Sequence, residues 1–246
     1  DVDLNVRQAA SQSLSEVKNA ASAQILAPYL KHTDTFALGA ILRALKPLRP
    51  QQLFEEISAL VHHEDAFVRR EAVSALSWLQ QDQAITILAK IAETDTDDEV
   101  RRIATGGLAY SQNISVEVIQ ALQHSLTSES WQLRVEAALT IGKLRIVQLE
   151  APLIHAVSDL YWQVRIAAVR SLGLLKSHLA VAHLTDNFKH EISNLRKEVA
   201  LALGEIGTAE AQKLLEQHQN DPDPEVRKAI RIGLNQIGEV KYANQT

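Results

Sequence analysis

Apolar residues return along this chain in two superimposed rhythms. Over short stretches they recur every three or four positions, as in Leu133, Ala137, Ile141 and Leu144, the spacing that gathers side chains on one face of an α-helix. Over longer stretches the pattern itself repeats. A segment of the form D-x-x-V-R-x-x-A-x-x-A-L-G recurs throughout, most clearly at Asp223, Pro224, Glu225, Val226, Arg227, Lys228, Ala229 and Ile230. Aligned on the arginine, the copies fall at Arg7, a degenerate Leu38, Arg69, Arg101, Arg134, Arg165, Arg196 and Arg227, with successive spacings of 31, 31, 32, 33, 31, 31 and 31 residues. A fixed period of this length marks a stack of supersecondary units, each unable to bury its apolar face alone.

The columns of this alignment have separate physical roles. Seven residues after the arginine stand Leu14, Leu45, Leu76, Leu108, Ile141, Leu172, Leu203 and Leu234, a predicted core position. One residue earlier every copy is small or hydroxylated (Ser13, Ala44, Ala75, Gly107, Thr140, Ser171, Ala202, Gly233), which lets the next helix approach closely. Four residues before the arginine come Asp3, Asp34, Asp65, Asp97, Ser130 and Asp223, interrupted by Tyr161 and Ile192; an acid or hydroxyl there caps a helix and favours its dipole. Between copies lies a second amphipathic run, for example Gln83 to Ile91 or Glu150 to Val157. Two helices per roughly 31 residues predict an all-α solenoid: about fifteen helices, one lone helix and seven antiparallel pairs, without strands.

These columns resemble HEAT-like repeats of the type found in phycobilisome lyase subunits and bacterial scaffold proteins. The resemblance covers residues 1–238, with 239–246 as a tail. It implies a right-handed superhelix of about seven and a half repeats, in which the second helix of each pair lines a concave face and the Asp and Arg columns form a ladder between neighbours. Leu38, Tyr161 and Ile192 depart from that ladder. Arginine at position 38 is therefore expected to be tolerated, or mildly stabilising. The array opens in mid-repeat and the chain has no methionine, so a fragment of a longer protein is expected.

Composition narrows the function. Only 4% of residues are aromatic, and 25 Lys and Arg stand against 30 Asp and Glu, so there is no global basic field of the kind that draws a protein onto nucleic acid. The absence of cysteine removes thiolate metal sites and cysteine nucleophiles. No apolar run approaches the roughly 18 residues of a membrane span, and a soluble, cytoplasmic protein is the expectation. Deoxyhypusine hydroxylase, an enzyme built of similar repeats, sets His-Glu pairs directly after the arginine; here those positions read Arg70-Glu71, Val135-Glu136 and Lys197-Glu198, without histidine. No catalytic constellation, metal site or cofactor is expected.

Binding residues are sought one and five positions after the arginine, roughly opposite the core stripe. Early copies place polar or small residues there, whereas the fifth and sixth hold Val135, Leu139, Ile166 and Arg170. Three residues before the arginine, Trp131 and Trp162 occupy equivalent positions in these same two repeats. Exposed aromatic and aliphatic residues mark interaction sites, so these six residues form the predicted partner surface; the competing reading is that the two rings seal repeat junctions. A second cluster holds Trp78 and Tyr110 with Arg70 and Arg102, able to grip an acidic or planar ligand. The leading function is a scaffold binding a protein or peptide on its concave face. The alternatives are a bilin lyase or isomerase subunit holding a tetrapyrrole, and a HEAT-like nucleic-acid-binding protein.

Overall fold

The computed structural model describes residues 3–243. Among them lie fifteen α-helices, several short 3-10 turns and no strand. The contacts divide the chain into two units that meet between Ala121 and Leu122. The first contains α1 (Leu4–Ser15), α2 (Ser22–Leu26), α3 (Thr35–Leu45), α4 (Phe54–Leu60), α5 (Ala66–Leu79), α6 (Asp82–Thr94), α7 (Asp98–Gly107) and the start of α8 (Val116–Leu126). The second contains the end of α8, then α9 (Trp131–Leu144), α10 (Glu150–Ala156), α11 (Trp162–Leu174), α12 (Val181–Leu184), α13 (Ser193–Ile206), α14 (Ala209–Gln217) and α15 (Pro224–Ala243). The helix count matches one lone helix and seven pairs.

Arginine-column helices stack on one another within each unit, α1 on α3, α3 on α5 and α5 on α7 in the first, α9 on α11, α11 on α13 and α13 on α15 in the second. The column seven after the arginine is the core: Leu45, Leu76, Leu108, Ile141, Leu172 and Leu203 are buried. Leu14 and Leu234, in the first and last of these helices, are half-buried. Small residues let the backbones close up. A methyl group on Gly204 of α13 would come within 2.5 Å of the Gly233 Cα of α15, so neither position admits a side chain without separating the helices.

Helix starts follow the aspartate column. Asp3, Asp34, Asp65, Asp97 and Asp223 accept hydrogen bonds from the N–H groups of Asn5 (2.7 Å), Ala37 (2.8 Å), Phe67 (2.8 Å), Val100 (3.0 Å) and Glu225 (2.8 Å). Each such cap stabilises its helix by about 1 kcal/mol.

The ladder between repeats uses two acids: Arg7 meets Asp34, four residues before the next arginine-column position, at 2.7 and 2.9 Å, as the resemblance implied, whereas later rungs use another. Arg69, Arg134 and Arg196 each fork onto an aspartate six residues before the next arginine-column position: Asp95 (2.9 and 2.9 Å), Asp159 (2.8 and 2.8 Å) and Asp221 (2.8 and 3.0 Å). The same guanidinium also donates to carbonyls of its own preceding turn, His63 and Glu64, Ser128 and Glu129, or His190 and Glu191. One planar donor set thus clamps two successive turns, a geometry that suits arginine's fixed fork. Within its turn the acid also accepts the N–H two residues on, as from Asp97, Tyr161 and Asp223. Where this position is histidine, His32, His63 or His190, Nδ1 accepts that N–H instead.

Leu38 corrects the expectation that arginine would be tolerated there. It is 1% exposed. The residue before it is the small Ala37, where the other copies carry Val or Leu, so Leu38 fills core volume. Six residues before Arg69 stands His63, an imidazole rather than a carboxylate, so a guanidinium at 38 would have the capping Asp65 to meet, as Arg7 beside His32 meets Asp34, at the expense of the core volume.

Candidate functional site

The surface singled out by the two tryptophans lies in the second unit, at the starts of α9 and α11. Trp131 and Trp162 are the first residues of these helices, and the residues before them, Ser130 and Tyr161, make no side-chain cap. The structure treats the rings differently. Trp131 is half-buried and stacks on Tyr161, with ring centroids 5.7 Å apart and planes 14° from parallel. Arg134 lies over the same Tyr161 ring at 5.6 Å while forking onto Asp159. Trp131 is therefore part of the junction between two repeats. Burial pushes the Asp159 carboxyl up, but the Arg134 hydrogen bonds, the Tyr161 N–H and the Arg134 and Arg165 charges outweigh it and hold the group below the usual aspartate range.

Trp162 is 37% exposed and takes part in no ring stack among the described residues. Beside it, Tyr161 is also exposed, and Leu160, at 93%, is the most exposed large apolar side chain described. Sequence reasoning passed over Leu160 and Tyr161, although the alignment contains the signal. The triad Leu160, Tyr161, Trp162 stands where other repeats have Thr33, Asp34, Thr35, or Glu64, Asp65, Ala66, or Thr96, Asp97, Asp98. A capping, solvated turn has been replaced by three large apolar residues.

The flanking residues divide. Leu139 is exposed, Val135 is half-buried, and Ile166 is only 7% exposed. Ile166 is thus core, not wall, because α11 is covered on one flank by α9 and on the other by α13. A helix flanked on both sides keeps a narrower solvent stripe than the half-cylinder opposite its core. Arg170 stays exposed and forks onto Glu198 of the next repeat at 2.8 and 2.7 Å. Its charge is already matched, and these hydrogen bonds raise its pKa.

In the first unit the second predicted cluster does not present free cations. Arg70 forks onto Asp97 at 3.1 and 2.7 Å, and Arg102 onto Glu99 at 2.8 and 2.7 Å. The cation over Trp78 is Arg49, 5.3 Å from the ring centroid, and Tyr110 is half-buried. Among the described residues no group of three or more His, Asp or Glu side chains is placed to hold a metal ion, and no helix is long and apolar enough to cross a membrane.

With paired helices, aspartate caps and an arginine clamp recurring at a fixed period, the repeats can be set beside known ones. A profile of HEAT repeats matches residues 27–109, 116–192 and 188–244. The chain belongs to the HEAT-repeat family. An engineered protein superposes on these HEAT repeats with a TM-score of 0.63 at 20% identity, over 93% of this chain and 71% of its own. A chain from the complex of CpcE and CpcF, the phycocyanin lyase of a Nostoc species, does so with a TM-score of 0.57 at 17% identity, over 87% of this chain and 94% of its own. The YibA protein of E. coli gives 0.51 at 16%, over 94% and 96%. Likeness at these identities establishes the fold. A comparison with curated protein sequences finds no match.

Proposed function

We propose that this HEAT-repeat chain is a binding scaffold whose second unit docks a segment of a partner protein on the apolar turn Leu160–Trp162 and the adjoining outer faces of α9 and α11. The observation that carries this reading is the triad itself. Giving up a side-chain cap forgoes about 1 kcal/mol of helix stability, and leaving leucine in water forgoes the roughly 1.5 to 3 kcal/mol that its burial provides. Packing within the chain recovers neither loss at Leu160, and it leaves more than a third of Trp162 uncovered. A partner that covers them recovers it on binding, and tryptophan is the side chain most enriched among residues that dominate binding energy.

Trp131 supports the site from behind by fixing Tyr161 through their stack. Leu139 extends the apolar surface along α9, on the same stripe as Trp131 and Val135. A photoreactive phenylalanine analogue at position 160 is expected to cross-link to one segment of one partner in cells that make the protein. The same analogue at Glu191, five residues before the next arginine, is expected to give none. Equal labelling at both positions, or none at 160, would overturn the assignment.

A further inference from the structure

The outer face of α11 carries a second feature, twelve residues beyond Trp162. Arg170 and Leu174 of α11 and Glu198, Leu201, Ala202 and Glu205 of α13 line an open cleft of about 260 Å3. That is below the roughly 300 to 1,000 Å3 typical of clefts that take whole small molecules, and it suits one long side chain. The carboxylates in it are not equivalent. Glu198 is buried and matched by Arg170. Glu205 makes no hydrogen bond or ion pair among the described residues. Its carboxylate lies over Gly173, where an added methyl group would come within 2.9 Å of Oε2; the glycine leaves room for an acid on the cleft floor. Leu174 is an exposed wall. Burial pushes the Glu205 carboxyl above the usual range, against the pull of Lys176 and Arg145, neither of which closes an ion pair with it.

We infer that this cleft receives a lysine or arginine side chain of the docked partner segment, its alkyl stem against Leu174 and Leu201 and its cation on Glu205. The inference rests on the docking reading above and adds the partner's chemistry. A flexible stem with a terminal charge matches apolar walls with one unmatched carboxylate at the floor. Trp162 and Leu174 are twelve residues apart on one helix, about 18 Å at 1.5 Å per residue. An extended chain advances about 3.3 Å per residue, so the occupant is an extended segment with an aromatic or aliphatic anchor and a basic residue about five or six positions away.

A random peptide library displayed on phage, selected in parallel on the wild-type chain, Glu205→Gln and Trp162→Ala, tests this directly. The wild type is expected to return a consensus with Lys or Arg about five or six positions from a large apolar residue. Glu205→Gln should keep the apolar preference and lose the basic one. With the consensus peptide made synthetically, replacing its basic residue by norleucine should weaken wild-type binding about tenfold and leave Glu205→Gln binding unchanged. A consensus without a basic residue, or a basic preference that survives Glu205→Gln, overturns the inference and leaves the docking surface standing. Selection of the same full consensus by Trp162→Ala contradicts the docking surface instead, and no consensus on the wild type counts against both.

Discussion

Removing one acid from the ladder isolates what the arginine clamp contributes. Asp221 and Arg196 are each 8% exposed. Asp221 accepts from Arg196 Nε at 2.8 Å, from Nη2 at 3.0 Å and from the Asp223 N–H at 2.9 Å. In Asp221→Ala the guanidinium keeps only the carbonyls of His190 and Glu191, at 2.8 and 3.0 Å, and is a buried cation without its counter-charge. Breaking a buried pair from one side typically costs about 3 to 5 kcal/mol, and losing the turn hydrogen bond adds about 1 kcal/mol. His190 occupies the same column one repeat earlier and gives its Nδ1 only to the Ile192 N–H, at 3.1 Å. His190→Ala should therefore cost only about 1 kcal/mol. Urea unfolding followed by circular dichroism measures both variants against the wild type. Equal losses, or a loss below about 1 kcal/mol for Asp221→Ala, would refute the view that the acid six residues before the arginine carries the ladder.

Two further outcomes are expected. Leu38→Arg should lose more than about 2 kcal/mol in the same unfolding assay, because it removes a leucine that is 1% exposed from the core; a neutral result would show that the guanidinium reaches Asp65 as Arg7 reaches Asp34. Glu205→Gln should change how stability depends on pH. Since burial raises the folded-state pKa of Glu205 above the ordinary 4.5, its contribution is fully present below that value and is lost as pH rises through the folded value. The variant should match the wild type in acid and equal or exceed it at neutral pH, and a variant less stable at neutral pH would contradict the assignment of Glu205 as an unmatched acid.

The repeat register, the core column and the aspartate caps were legible in the sequence because each is a local demand repeated many times. A leucine or isoleucine seven residues after the arginine serves the same purpose in every copy, and an aspartate at the helix start in five of the eight. The ladder holds as expected at Arg7 and Asp34 and is shifted by two residues at Arg69, Arg134 and Arg196, for a definite reason. Copies such as Asp95 with Asp97, and Asp221 with Asp223, carry aspartates at both positions, and spacing alone cannot say which one caps and which one meets the arginine of the preceding repeat. Ile166 was misplaced because the angle around one helix ignores the helices on its flanks. The apolar turn was visible only in part. Trp131 and Trp162 stand out as a column, while Tyr161 registers only as a break in the aspartate column and Leu160 not at all, although their size and exposure carry the proposed docking surface.

The docking claim is tested most directly by Leu160→Ser combined with Trp162→Ala, measured on one preparation for melting temperature and for affinity toward the segment captured at position 160. Leu160 is 93% exposed and Trp162 37%, so melting should fall only slightly, by what the covered part of the indole contributes. Loss of the two anchors should reduce affinity at least about thirtyfold, the equivalent of about 2 kcal/mol for one dominant contact. A sharp fall in melting temperature with affinity retained would show that these residues serve the fold and that the partner binds elsewhere.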